Sequence, residues 1–188
     1  MINLPNLLTL FRILVIPVLI GCLAAGGLWA DMAFLLYVGA CVTDYLDGAL
    51  ARRQGLTSDL GRMMDPIADK LLVGGLLLAL AGMGGLRFGS LYAAILIMLR
   101  EILISGLREY MASRNETIPS TRLAKWKTGM QMVAIGCLIL GQGAVGSLYD
   151  KVTWYFGVTG AVLLWLSVIP TLLTGTGYLR ATVARMRG

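Results

Sequence analysis

Residues 73–85 (VGGLLLALAGMGG) and 160–173 (GAVLLWLSVIPTLL) contain no charged side chain and no polar stripe at helical spacing. A helix on the surface of a soluble protein must turn a polar face to water, and these segments have none to turn. Apolar runs of this kind recur along the chain, several near the ~20 residues a helix needs to cross a bilayer. The composition agrees: 57% of the 188 residues are hydrophobic and mean hydropathy is +0.79, against roughly 45–50% apolar residues in ordinary globular domains. The expected class is an all-α integral membrane protein. Six transmembrane helices can be drawn, near 7–27, 32–53, 62–83, 89–112, 124–146 and 153–176, with turns at Gly26-Gly27, Gly84-Gly85 and Gly146-Ser147. No long linker, repeat or low-complexity segment divides the chain, so a single domain over 1–188 is expected.

A net charge of +6 would fit a nucleic-acid binder, but in a membrane protein Lys and Arg collect in cytoplasmic loops. Arg52, Arg53 and Arg62 flank the second loop, and Arg108, Arg114, Arg122, Lys125 and Lys127 the fourth. Arg180, Arg185 and Arg187 mark the tail, whereas the opposite loops hold only Arg87 and Lys151. Both termini are therefore expected in the cytoplasm. Leu19-Ile20-Gly21-Cys22 has the form of a lipoprotein cleavage box, yet the run around it is long enough to span and further spans follow. Cys22, Cys41 and Cys137 stand alone in apolar stretches and read as small core residues. With no histidine in the chain, the commonest general base and metal ligand is missing.

Against this background DYLDGALARRQGLTSDLGRMMDPIADK, residues 44–70, is anomalous for its five aspartates. Asp44 and Asp47 are three apart, Asp65 and Asp69 four apart, and both intervals put a pair on one helix face. The loop between them lets two helices run antiparallel, so that four carboxylates converge. One charge at bilayer depth costs about 2.5–3.5 kcal/mol on the insertion scale, and no lysine or arginine is interleaved closely enough to pair with all four. Divalent cations are the natural partners. The donors are hard oxygens, which favours Mg²⁺ or Mn²⁺, leaves Ca²⁺ open and disfavours zinc; four carboxylates suffice for two ions clamping a phosphoryl group. Gly48 and Gly61 allow close approach of a ligand. Arg52, about two turns beyond Asp44, offers a guanidinium fork for a pyrophosphate, and Ser58 a hydroxyl. Asp59 falls outside the periodic pattern and suits a cap for the third span.

With its spacers, the stretch reads Asp44-x2-Asp47-Gly48-x2-Ala51-Arg52-x8-Gly61-x3-Asp65-x3-Asp69. It resembles the complete signature of the CDP-alcohol phosphotransferases, membrane enzymes of phospholipid synthesis. The resemblance implies a six-helix, typically dimeric fold with its catalytic cavity opening to the cytoplasm. Asp44, Asp47, Asp65 and Asp69 would be metal ligands, with Asp69 also the general base. Thr9, Gly48, Ala51, Arg52, Ser58 and Gly61 fall where the family contacts the CDP-linked lipid. NLPNLLTLFRILVIPVL, REILISGLREYM and KWKTGMQMVAIG further resemble bacterial phosphatidylglycerophosphate synthases, which implies CDP-diacylglycerol and sn-glycerol 3-phosphate as substrates. A dianionic acceptor calls for a cationic pocket, and Arg100, Arg108, Arg122, Lys125 and Lys127 are the candidates; a structural ion pair for Arg100 and membrane anchoring for the two lysines are the plain alternatives. Within the same family the acceptor could instead be another phospholipid, inositol phosphate or serine. A cation transporter would scatter its carboxylates along a pore, whereas these cluster at one end. The compact chain suggests a bacterial inner membrane.

Overall fold

The computed structural model describes residues 4–54, 59–114, 122–143 and 149–186, with side chains except at 4–5, 47–54, 59–60, 62, 122, 149 and 185–186. Among the described residues all regular structure is helical: α1 (Leu4–Ala25), α2 (Leu28–Gln54), α3 (Asp59–Gly82), α4 (Ser90–Ser113), α5 (Arg122–Leu140) and α6 (Tyr149–Met186). Two expected turns lie where the glycines predict. Gly26, Gly27 and Gly84 take φ of 68°, 56° and 70°, a left-handed backbone that side chains with a Cβ resist.

The last two helices differ from the expected spans. α5 stops at Leu140 rather than near 146. A Cβ on Gly141 would lie 2.9 Å from the Gly157 Cα, so α5 turns where α6 closes on it. The predicted turn at Gly146-Ser147 lies outside the described residues. α6 runs through Met186, ten positions beyond the predicted end. Its added turns bury Tyr178 and Thr182, so Arg180 lies on a helix and not in a loose tail.

α1 packs against α2 and α3, α5 against α6 and α2, and α4 against α6. Leu19 of α1, Leu76 and Leu80 of α3, Ile97 of α4, Ile135 of α5 and Leu164 of α6 form a core from which solvent is excluded. The outside is apolar too: Leu35, Leu78, Leu99 and Ile102 are each more than 60% exposed, as expected of side chains facing lipid. By length and composition α1, α4 and α6 suffice to cross a membrane. In α3 and α5 the charges gather toward one end, as do those of α2 apart from Asp31 in its first turn, leaving the uncharged stretches 32–43, 71–82 and 128–140. Those ends coincide in space. The starts of α1, α3 and α5 and the ends of α2, α4 and α6 meet, as the contacts Thr9–Asp65, Arg12–Asp44, Lys127–Glu101 and Arg108–Tyr178 require.

Candidate active site

Asp44 sits in the second half of α2, and Asp65 and Asp69 face the same region from the first turns of α3. Between them comes Arg12 of α1, whose side chain is fully buried. Its Nη1 lies 2.6 Å from Asp44 Oδ1 and 3.0 Å from Asp69 Oδ1. One turn earlier on the same face, Thr9 Oγ1 donates to Asp65 Oδ1 at 2.8 Å. No lysine or arginine was expected to pair with all four aspartates, and a single guanidinium from α1, far away in sequence, serves two of them. Both contacts are made by one nitrogen, Nη1, whose two N–H donors can serve two carboxylates. Asp47, Gly48, Ala51 and Arg52 ride on α2, with their side chains outside the described set; Ser58 lies outside the described residues altogether. Gly61 is buried in the first turn of α3.

Among the described residues no group of three histidine, cysteine, aspartate or glutamate side chains is gathered for a metal ion. Asp44 and Asp69 nonetheless turn oxygens toward one cationic centre, and every acidic donor here is a carboxylate. In charge and donor type the pair fits a hard divalent cation.

A cavity of about 600 Å³ opens beside the aspartates. Asp44 and Asp69 line it together with Lys70, Arg100, Arg108, Lys125 and Lys127, so two of the clustered aspartates and most of the predicted acceptor cations share one space. Those cations are not equivalent. Arg100 Nε donates to the Thr171 carbonyl at 3.2 Å, Nη2 to Thr174 Oγ1 at 2.8 Å and Nη1 to Glu101 Oε1 at 3.1 Å. Buried and held on three sides, Arg100 ties α4 to α6, with Gly175 leaving room for its stem. Lys127 pairs with the same Glu101. Arg108 lies over the Tyr178 ring, 4.9 Å from its centroid, and donates to the Tyr178 hydroxyl. Lys125 is exposed at the cavity wall. Arg122 opens α5, its side chain beyond the described set.

A model of the CDP-alcohol phosphatidyltransferase family matches residues 2–173. The chain belongs to that family. Its sequence is 40% identical to the CDP-diacylglycerol–glycerol-3-phosphate 3-phosphatidyltransferase of Rickettsia felis, over 95% of this chain and 94% of the relative. It is 34% identical to the protein of the same name from Cereibacter sphaeroides, over 98% and 97%. A probable phosphatidylglycerophosphate synthase of Mycobacterium tuberculosis is 33% identical over 99% of this chain and 84% of its own length. Of the signature aspartates, Asp44 on α2 and Asp69 on α3 line the cavity. Arg12 and Lys70 complete the electrostatics there, and neither stood out from the sequence; the Arg100–Glu101 ion pair is the plain alternative foreseen for Arg100. A lone arginine three positions after Thr9 in an apolar span was the available signal.

Proposed function

We propose that this transferase moves the phosphatidyl group of CDP-diacylglycerol to sn-glycerol 3-phosphate, forming phosphatidylglycerophosphate and CMP. Relatives named for that reaction match nearly the whole chain, and this is the observation that carries the assignment. In the reaction the acceptor's primary hydroxyl oxygen attacks the phosphorus that bears diacylglycerol. A P–O bond forms there, the bond to the bridging pyrophosphate oxygen breaks, and CMP departs with that oxygen. The hydroxyl proton passes to a base within hydrogen-bond reach. Asp69 has that role; Arg12 at its Oδ1 keeps the carboxylate placed at the cavity wall. Asp44, Asp47, Asp65 and Asp69 would hold two Mg²⁺ or Mn²⁺ ions, which when bound supply charge stabilisation for the transferring phosphoryl group. Thr9, Gly48, Ala51, Arg52, Ser58 and Gly61 hold the CDP-lipid, while Arg108, Lys125, Lys127 and Arg122 attract the acceptor. Arg100 braces the wall behind them. All six helices span the bacterial inner membrane as one catalytic domain, with both termini and the cavity on the cytoplasmic side, and two copies form a homodimer.

Purified protein supplied with CDP-diacylglycerol and radiolabelled glycerol 3-phosphate should yield labelled phosphatidylglycerophosphate with matching CMP release. Asp69→Asn should lower kcat by about 10²–10⁴-fold, the usual worth of a general base, and EDTA should stop turnover. Undiminished turnover in EDTA, or a labelled product only with a different alcohol, would refute the assignment.

A further inference from the structure

Lys70 follows Asp69 on α3, and both side chains line the cavity. Among the described residues no carboxylate lies within ion-pairing distance of Lys70; its Nζ instead donates to the Ser105 hydroxyl of α4. Among the other cations of this wall Lys125 is exposed to solvent, and Arg100, Arg108 and Lys127 are engaged by side chains. Glu101 compensates Arg100 and Lys127, and Tyr178 holds Arg108 by ring and hydroxyl. A partly buried ammonium without a counter-ion is expensive in a low-dielectric setting, and an incoming dianion would remove that cost. Lysine has three N–H donors and serine one O–H, so after their mutual bond both still have a donor for phosphate oxygens. Position matters as well. Glycerol 3-phosphate carries its reacting hydroxyl and its phosphate at opposite ends of a three-carbon chain. Asp69 and Lys70 both line one cavity, so its wall offers a carboxylate and an ammonium to two such ends.

We infer that Lys70, seated on Ser105, receives the phosphate of the acceptor and thereby delivers the acceptor's hydroxyl to Asp69. Lys70 is thus a specificity-determining residue that favours phosphorylated acceptors over neutral ones. The assignment rests on glycerol 3-phosphate being the acceptor, which product analysis of the wild-type enzyme decides first and separately. If the wild type makes no phosphatidylglycerophosphate, the proposed function fails before Lys70 is at issue.

With that product established, initial rates are measured for wild type, Lys70→Met, Lys70→Arg and Ser105→Ala over ranges of both substrates. Lys70→Met should raise KM for glycerol 3-phosphate by about tenfold or more, the scale of one charge-assisted contact, and leave KM for CDP-diacylglycerol within about twofold. Lys70→Arg should restore most of the loss. Inorganic phosphate, competitive in the wild type, should inhibit Lys70→Met about tenfold less well. Ser105→Ala should raise the acceptor KM by about threefold, and it decides the matter if Lys70→Met does not fold. An unchanged acceptor KM in the folded variants, or equal rises in both KM values, would overturn the inference.

Discussion

At the scale of single residues, Arg12 has the most to teach. Its guanidinium is fully buried, while the Asp44 and Asp69 side chains keep 30% and 48% of their exposure. Removing one partner of a deeply buried ion pair costs about 3–5 kcal/mol, but water reaches both carboxylates here and softens the loss. Arg12→Met should therefore destabilise the protein by about 1–3 kcal/mol, comparable to losing a pair of charge-assisted hydrogen bonds. The loss should appear as a lower melting midpoint in detergent containing EDTA. Added Mg²⁺ should narrow the gap between variant and wild type, because the carboxylates then regain a cation. Equal midpoints in EDTA would mean that water balances the aspartates without Arg12. The sequence showed the four aspartates because their i,i+3 and i,i+4 spacing is local. Arg12 lies 57 positions from Asp69, and no periodicity links the two.

Among the elements, the α5–α6 contact is set by glycines. A Cβ at Gly160 would lie 2.8 Å from the Leu138 Cγ and 2.9 Å from the Ala134 carbonyl oxygen. Backbone cannot yield as a flexible side chain does, so Gly160→Ala must push the helices apart. Overpacking of this kind costs typically 1–3 kcal/mol, here about the same. A Cβ at Gly157 meets nothing within 4 Å, and Gly157→Ala should be neutral or gain up to about 1 kcal/mol from helix propensity. Unfolding titrations of the two variants, side by side, check this; equal effects would contradict the tight crossing at Gly160. Gly157 and Ala161 stand four apart on α6, small residues that allow close helix packing, and the structure uses that region within the chain: Ala161 is buried and the Gly157 backbone closes on Gly141. Helix existence was legible throughout from apolar run length, while two ends were not. α5 ends early and α6 late because neighbouring helices, and not local propensity, offer the last turns their burial.

The whole molecule concentrates charge at one end of an otherwise apolar bundle. If that end faces the cytoplasm, as the basic loops predict, membrane-impermeant thiol reagents should distinguish the two sides in intact cells. In a background lacking Cys22, Cys41 and Cys137, Arg87→Cys in the turn before α4 should label from outside. Ser113→Cys at the far end of α4 should label only after permeabilisation, and the reverse pattern would invert the topology. Much of this protein follows from its chain alone. Unbroken apolar runs demand helices, and carboxylates one turn apart on consecutive helices demand a shared cationic partner. Both demands act within a few residues and survive any arrangement of the bundle. Which cation answers the aspartates, that Glu101 engages Lys127, and that Lys70 meets the Ser105 hydroxyl are matters of packing. Those partners come from different helices, 26 to 57 positions away in sequence, and they meet only once six helices have settled which faces touch.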